Sequence, residues 1–265
     1  MARVPCTRRD GGLTQAPAAA AARRTARSYG AYAGTVHIEI WSDVACPWCY
    51  VGKRRFEKAL AEFEHRDEVN VTWRSFELDT SAPREYPEDG ASHLASKYGT
   101  TREQALAMQE NLTRIAANEG LDYRLDVARG GSTFDAHRLI HLGAAHGIQG
   151  AVKERLMRAY LREVEPIGDP ATLARLAVEA GLPEPEVREL LAGDRFAAEV
   201  REDERTAQRM RISGVPFFVA HRQLGLSGAQ PAEIMGEFLR QAWMRRPALT
   251  VVGGADGERC SVDAC

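Results

Sequence analysis

Residues 36–49 read Val36-His37-Ile38-Glu39-Ile40-Trp41-Ser42-Asp43-Val44-Ala45-Cys46-Pro47-Trp48-Cys49. The first six alternate in polarity and are rich in β-branched and aromatic side chains, which predicts a β-strand. Pro47 stands where an N1 proline begins a helix, and apolar residues then recur at near-helical spacing to about residue 64. Residues 69–78 alternate again and predict a second strand. Strand, helix and strand form a βαβ unit, whose connection should be right-handed.

The cysteine pair Cys46 and Cys49 lies at the start of this predicted helix. Unpaired backbone N–H groups and the positive end of the helix dipole favour a thiolate there. The thiolate is the nucleophile in disulfide exchange. We therefore expect Cys46 to be the attacking, partly exposed thiol with a lowered pKa. Cys49, one turn into the helix, is expected to be the buried resolving thiol.

A second motif, Gly214-Val215-Pro216, precedes another β-prone segment at residues 215–220. A proline that opens a strand donates no hydrogen bond to the sheet, and this sequence suits a tight connection with a cis peptide bond. The missing N–H would leave neighbouring backbone groups free to pair with a substrate strand. We predict that Val215 and Pro216 bind substrate opposite the thiols, together with Pro47 and Trp48. An ordinary proline at a strand start is the alternative.

The chain between these motifs changes character. Helical periodicity replaces strand signals from about residue 83 to 210, and it predicts helices near 89–98, 102–119, 135–147, 149–164, 170–180, 184–192 and 195–211. Strand signals return at 215–220 and 224–226, joined by a tight turn, and residues 231–244 predict a final helix. The sequence therefore predicts an α/β lobe in two pieces, 35–85 and 211–245, split by an all-helical insertion at 86–210.

Composition excludes several classes of protein. The chain has 265 residues, of which 44% are hydrophobic and 27% charged, with a net charge of −2. We expect no nucleic acid and no membrane as a partner, because there is no strong basic excess and no apolar run long enough to cross a bilayer. Residues 1–34 are rich in arginine and lack the apolar core of a secretory signal. A disordered tail is expected there, with a mitochondrial transit peptide or an upstream start codon as alternatives.

Without a signal the protein is expected in the reducing cytoplasm, where close cysteine pairs are more often catalytic or metal-binding than structural. A second close pair, Cys260 and Cys265, lies in the predicted flexible tail 246–265. A zinc-binding, non-catalytic module that uses Cys46, Cys49, Cys260 and Cys265 is one alternative. The helix start and the Val215-Pro216 motif have no role in such a module, so redox chemistry without a metal is favoured.

Proton transfer must accompany disulfide exchange, and two acidic residues near the thiols are candidates for it. Glu39 lies within the first strand and Asp43 follows its end. The alternatives are an ion pair for Glu39 and a turn or capping role for Asp43. On the predicted insertion, His137 and Arg138 either face the cleft or make a hydrogen bond between the lobes.

Residues 43–52, Asp43-Val44-Ala45-Cys46-Pro47-Trp48-Cys49-Tyr50-Val51-Gly52, resemble the active-site run of the FrnE group of DsbA-like oxidoreductases. Residues 133–138, 214–218 and 227–230 resemble later motifs of that group, so the resemblance covers about 35–245. It implies a thioredoxin fold with an inserted helical lobe, disulfide oxidoreductase or isomerase activity, and no bound cofactor. Protein or small-molecule thiols and disulfides are the implied substrates, with glutathione or a thioredoxin-type reductant as candidate partner.

The resemblance has three further implications. Cys260 and Cys265 match a C-terminal pair of some members and would act as an internal redox relay, with two unpaired thiols or a structural bridge as the alternatives. Trp48 replaces the histidine of strongly oxidising members, so the pKa of Cys46 should be lowered less than in those proteins. Glutathione-dependent isomerases and kappa-class transferases are more distantly similar, but they use a serine near the position of Cys46. They remain the alternative enzyme class.

The basic run Lys53-Arg54-Arg55 follows the dithiol on the same predicted helix. Charged residues in succession on a helix usually face water. We therefore expect these three side chains to form a solvated helix face.

Overall fold

Within residues 34–246 the sheet has four strands, which are β1 (Val36–Ser42), β2 (Val69–Ser75), β3 (Phe217–Ala220) and β4 (Leu224–Ser227). Their order in the sheet is β2-β1-β3-β4. β1 and β2 pair in parallel, whereas β3 runs antiparallel to both β1 and β4. Parallel pairing requires a crossover, which helix α1 (Pro47–Ala61) supplies. The predicted βαβ unit is therefore confirmed.

The computed structural model describes residues 34–246. The predictions for the N-terminal segment and for the C-terminal tail with Cys260 and Cys265 lie outside these residues, apart from Gly34 and Arg246 at the two ends. The zinc module and the internal relay, both of which need that tail, are therefore untested predictions.

Helices α1 and α9 (Ala232–Met244), the last helix of the described residues, cover one face of the sheet. Phe218 of β3 reaches both helices, since its ring lies 5.4 Å from that of Phe56 and 6.5 Å from that of Phe238. The opposite face is covered by helix α8 (Ala197–Arg209), where Trp41 and Val219 form a buried cluster with apolar residues of that helix and the turn after it. Both faces are therefore shielded from water.

Seven helices lie between β2 and β3 in the described residues, as the periodicity predicts. They are α2 (Gly90–Tyr98), α3 (Arg102–Asn118), α4 (Phe134–Ala145), α5 (Gln149–Leu161), α6 (Pro170–Glu179), α7 (Glu184–Ala192) and α8 (Ala197–Arg209). The α/β class with a helical insertion is therefore confirmed. Gly120, Gly147 and Gly181 follow helix ends with positive φ angles of 73°, 72° and 101°. This is the left-handed conformation in which glycine commonly terminates a helix.

Two short segments join and end the strands. His221 and Arg222 have φ angles of 51° and 56°, and positive φ at both central residues is what the tight turn between β3 and β4 requires. β2 ends at Ser75 rather than at residue 78. The reason is a competing hydrogen bond, because the Leu78 N–H donates to the Asp43 carboxylate at 2.8 Å instead of continuing the sheet.

The insertion also covers the outer edge of β2. The side chain of Gln149 makes two hydrogen bonds of 2.9 Å with the backbone N–H and C=O of Trp73. Asp203 of α8 accepts from the Ser75 N–H at 2.9 Å. Side chains of the insertion thus occupy backbone groups that would otherwise be open to another strand.

Candidate active site

Cys46 is the N-cap residue of α1. Its backbone is extended, and its sulfur accepts a hydrogen bond of 3.3 Å from the Cys49 N–H. Both cysteines are free thiols in this structure. The first sulfur therefore lies at the helix start, as the sequence predicts, and takes the place that a serine or aspartate oxygen usually occupies.

The dithiol is less accessible than the sequence predicts. Cys46 is only 5% exposed and Cys49 only 1%, whereas the neighbouring Trp48 is 41% exposed. The expectation of a partly exposed Cys46 is therefore wrong, while that of a buried Cys49 is confirmed. Residues far away in sequence enclose the first sulfur, and the local motif carries no information about them.

The expected pKa of Cys46 is also wrong in direction. The contact with the Cys49 sulfur, burial and the Asp43 carboxylate together raise the pKa of the Cys46 thiol well above its ordinary value. The hydrogen bond from the Cys49 N–H acts in the opposite direction but is outweighed. The helix start thus lowers the pKa of Cys46, but the second sulfur and burial raise it by more.

The Val215–Pro216 peptide bond is cis and lies opposite the thiols. The Cys46 thiol donates to the Val215 carbonyl oxygen at a sulfur–oxygen distance of 3.7 Å. Below it, α1 approaches the proline so closely that a Cβ on Gly52 would lie 2.8 Å from Pro216 Cγ. Glycine at position 52 therefore permits the contact that brings the two motifs together.

A buried polar pair lies behind the dithiol. Asp43 and His137 are almost inaccessible to solvent, and their side chains approach to 3.3 Å. Burial raises the pKa of the Asp43 carboxyl, but hydrogen bonds from His137 and the Leu78 N–H hold it below its ordinary value. Burial lowers the pKa of His137. Asp43 is thus a fixed negative charge, and His137 makes the predicted hydrogen bond between the lobes.

Lys153 was not singled out by the sequence analysis. It is fully buried on α5, and its ammonium group donates to the Ser42 carbonyl oxygen at 3.0 Å. Burial lowers its pKa to about 8, although attraction to Cys49, Asp43 and Cys46 opposes the change. A possible signal was its spacing, because Lys153 shares an apolar helix face with Leu156 and Tyr160.

Glu39 lies away from the thiols. It is on the same face of β1 as Trp41, which packs towards α8, whereas α1 covers the other face. Its carboxylate binds Arg74 at 2.6 Å and Arg222 at 2.9 Å. Burial raises the pKa of Glu39, but these two arginines hold it below its ordinary value. The prediction that Glu39 transfers protons is therefore wrong, and the ion-pair alternative is confirmed.

The basic run on α1 is paired with carboxylates of the insertion, and Lys53 and Arg54 face α5. Lys53 is buried and contacts Glu154, which also binds Arg54 and accepts from the Tyr50 hydroxyl at 2.5 Å. Arg55 pairs with Glu119 at 2.6 Å. The expectation of a solvated helix face is therefore wrong, because the insertion supplies carboxylates that neutralise this face.

Arg138 lies on α4, and its side chain reaches the C-terminal end of α7. Its guanidinium donates to the Leu190, Gly193 and Arg195 carbonyl oxygens at 2.5, 2.7 and 2.9 Å. It also pairs with Asp135 at 2.7 Å. Arg138 therefore holds the insertion together and does not face the dithiol.

Tyr123 was also missed by the sequence analysis. It lies in the connection between α3 and α4, is 4% exposed, and donates from its hydroxyl to the Pro47 carbonyl oxygen at 2.6 Å. Its ring stacks on Tyr50 at a centroid distance of 6.2 Å. No helical or strand periodicity marks this position, so the sequence offered no signal for it.

Within residues 34–246, no group of three or more histidine, cysteine or acidic residues is arranged to hold a metal ion. No helix in the same range is long and apolar enough to cross a membrane.

A family model described as the DSBA-like thioredoxin domain matches residues 37–240. A probable DsbA oxidoreductase from Streptomyces coelicolor is 47% identical, with a TM-score of 0.78 over 84% of this chain and 97% of that one. The uncharacterized protein YwbO of Bacillus subtilis is 29% identical over 149 residues, which cover 56% of this chain and 68% of YwbO.

One more distant structure is that of the cytosolic disulfide reductase DsbM from Pseudomonas aeruginosa with GSH. It is 20% identical, with a TM-score of 0.54 over 77% of this chain and 98% of that one. At this identity the match concerns the fold alone.

Proposed function

The chain belongs to the DsbA-like thioredoxin-domain family, and we propose that it is a thiol–disulfide oxidoreductase that works as a disulfide reductase or isomerase. One observation carries the proposal. The Cys46 sulfur caps α1, accepts from the Cys49 N–H at 3.3 Å and lies 3.7 Å from the Val215 carbonyl oxygen. This arrangement offers a nucleophile, a second thiol one turn away and a backbone edge for the substrate.

The proposed reaction has two exchange steps. The Cys46 thiolate attacks one sulfur of a substrate disulfide, forms a mixed disulfide and releases the other substrate sulfur as a thiolate. The Cys49 thiolate then attacks the Cys46 sulfur, which closes the Cys46–Cys49 disulfide and releases the second substrate thiolate. The dithiol has lost two electrons and the substrate has gained them. Isomerisation results when a second substrate thiol, rather than Cys49, resolves the mixed disulfide.

The raised pKa of Cys46 supports the reducing direction. A strong oxidant such as DsbA owes its potential to a stabilised reduced form, whose thiolate has a very low pKa. Here burial and the second sulfur disfavour the Cys46 thiolate. The reduced pair in this protein therefore gains little stability from ionisation. Its disulfide should be harder to reduce than that of DsbA, so the dithiol acts as a donor of electrons.

Lys153 is the proposed partner of the resolving thiol. Cys49 must lose a proton before it attacks, and the low pKa of Asp43 makes its carboxylate a poor acceptor. Lys153 has a pKa of about 8, and among the groups that favour its charged form Cys49 has the largest effect. We propose that Lys153 exchanges a proton with Cys49. Asp43 would supply the negative charge that keeps Lys153 close to the thiols.

Substrate contacts are assigned to the rim of the site. Trp48 is the exposed aromatic residue beside the recessed sulfur, and Val215 presents its carbonyl group on the opposite side. We propose that both, with Pro47 and Pro216 next to them, hold the chain that carries the disulfide. Aromatic side chains supply much contact area at a low cost in conformational entropy.

A reductant must restore the dithiol after each turnover. We propose glutathione or a thioredoxin-type protein in a reducing cytoplasm. The fold shared with a cytosolic disulfide reductase observed with GSH agrees with this setting. Cys260 and Cys265 remain candidates for an internal relay between that reductant and the Cys46–Cys49 pair.

Insulin reduction with dithiothreitol or glutathione tests the proposal. Cys46→Ser should abolish turnover, Cys49→Ser should accumulate a mixed disulfide with substrate, and Cys6→Ser, a lone cysteine outside the proposed site, should leave turnover unchanged. The reduction potential of the pair should lie nearer to the about −270 mV of thioredoxin than to the about −120 mV of DsbA. Unchanged turnover in Cys46→Ser would refute the proposal. Glutathione-dependent turnover that survives Cys49→Ala would instead favour the isomerase or transferase alternative.

A further inference from the structure

We propose that Tyr123 is a gate that restricts Cys46 to small disulfides and to disulfides in extended, flexible chain segments. This inference rests on the proposed reductase function and names its substrate class. It starts from the contrast between a Cys46 that is 5% exposed and an adjacent Trp48 that is 41% exposed. The surface that would meet a substrate is open, but the sulfur that must react is recessed beneath it.

Three sides of the recess are visible in the structure. The first turn of α1 and the Val215 carbonyl group form two of them. Tyr123 lies on the third side, because its hydroxyl donates at 2.6 Å to the carbonyl oxygen of Pro47, the residue after Cys46, and its phenol is near enough to both sulfurs for their charges to affect its pKa. Burial, followed by the charges of Cys46, Tyr50 and Cys49, raises the pKa of Tyr123. The phenol therefore stays neutral, next to both sulfurs.

The segment that carries Tyr123 is held at several points. The Arg124 N–H donates to the Leu161 carbonyl oxygen at 2.8 Å, and Glu119 pairs with Arg55 of α1 at 2.6 Å. Further along, the Tyr86 N–H donates to the Gly130 carbonyl oxygen at 2.9 Å. Tyr123 is thus held beside the recess, and its removal should enlarge the entrance at the loss of one hydrogen bond to the Pro47 carbonyl group.

This geometry selects disulfides by shape. Exchange requires the Cys46 sulfur to approach a substrate sulfur to bonding distance, about 2 Å. A small disulfide, or one in an extended segment, can enter a recess beside the Tyr123 ring. A disulfide inside a folded domain is surrounded by other parts of that domain. These parts would collide with the rim of the recess before the substrate sulfur reaches Cys46.

Two alkylating reagents of different size measure the gate without any turnover. In a Cys49→Ser background, Cys46 is labelled either with iodoacetamide or with a bulky polyethylene-glycol maleimide. Mass spectrometry of the peptide that contains Cys46 gives the rate of each reaction. Tyr123→Ala should raise the labelling rate with the bulky reagent about tenfold. This factor corresponds to removing a local opening step that costs about 1.4 kcal/mol. The labelling rate with iodoacetamide should change much less. Tyr123→Phe keeps the ring and should retain the wild-type ratio.

Tyr86→Ala is the matched control. It removes a ring from the neighbouring loop, where the hydroxyl binds Asp79 rather than α1, and should leave the ratio of rates unchanged. If Tyr123→Ala is unfolded by circular dichroism, Tyr123→Leu preserves apolar packing and still shortens the side chain. An unchanged ratio in a folded Tyr123→Ala or Tyr123→Leu variant, or an equal change with Tyr86→Ala, overturns the inference.

Turnover then connects the gate to substrate choice. With wild-type cysteines, Tyr123→Ala should raise the reduction of a disulfide in a folded protein relative to oxidised glutathione, again by about tenfold. If the wild-type protein reduces neither substrate, the proposed function fails, while the labelling ratio still reports on the gate. If it reduces both and Tyr123→Ala leaves their ratio unchanged, only the substrate-class inference fails.

Discussion

Lys153→Met should change how the stability of the protein depends on pH. The lysine is fully buried on α5, and burial lowers its pKa from 10.5 to about 8. In the unfolded chain the pKa returns to its ordinary value, so below pH 8 the native state carries the cost of a buried charge. The change in pKa corresponds to about 3 kcal/mol. The cost disappears as the pH rises towards 10.5, because the unfolded state then binds more protons than the native state.

The expected measurement is a difference between two pH profiles. Urea unfolding of Lys153→Met and of its parent, both with Cys46 and Cys49 replaced by serine to remove thiol titration, gives the free energy of unfolding at each pH. The parent should gain at least about 2 kcal/mol relative to the methionine variant between pH 7 and about pH 9.5, because the two serines remove groups that favour the charged lysine. The lost hydrogen bond to the Ser42 carbonyl group shifts the difference by a constant and leaves its slope intact.

Lys58→Met provides the control, since Lys58 is an exposed lysine on α1. Its profile should run parallel to that of the parent. Parallel profiles for Lys153→Met and the parent, within about 0.5 kcal/mol, would refute the argument that Lys153 is charged and buried at neutral pH.

Two further predictions concern close packing and buried carbonyl groups. Gly52→Ala should lower the free energy of unfolding by about 1–3 kcal/mol and reduce insulin reduction, because the new methyl group overlaps Pro216. Gly236→Ala, where a Cβ meets only a flexible arginine at 3.6 Å, should not destabilise the protein, and equal losses in the two variants would contradict the packing argument. Arg138→Met should cost roughly 3 kcal/mol in urea unfolding, since it removes a buried guanidinium that donates to the Leu190 and Gly193 carbonyl groups and pairs with Asp135. Arg188→Met on the exposed surface of α7 should cost almost nothing, and a similar loss there would refute the assignment.

The parts of the fold that were predictable depend on local sequence. Pro47 begins α1 and Gly147 follows the end of α4, since each acts through its own backbone conformation. The cysteine pair at a helix start was readable for the same reason. β2 was predicted three residues too long, because Asp43, from another part of the chain, takes the Leu78 N–H.

The site was less predictable, because its properties come from the insertion. The helix start lowers the pKa of Cys46, but the Cys49 sulfur, together with burial by distant segments, raises it by more. Lys153 and Tyr123 reach the thiols only after α5 and the connection between α3 and α4 have packed. Glu39 was misassigned because the alternation of a strand shows that two faces exist, but not which of them meets α1.

The side chains that cover the outer edge of β2 bear on how the chain reaches its native state. Trp73 is joined to Gln149 across 76 residues, and Ser75 to Asp203 across 128. Such distant pairings raise contact order and slow folding, because a long loop must close before they form. Until α5 and α8 arrive, the parallel strands present an unsatisfied backbone edge on which two nascent chains could associate. Excision of the insertion would therefore yield a sheet that aggregates, rather than a minimal enzyme.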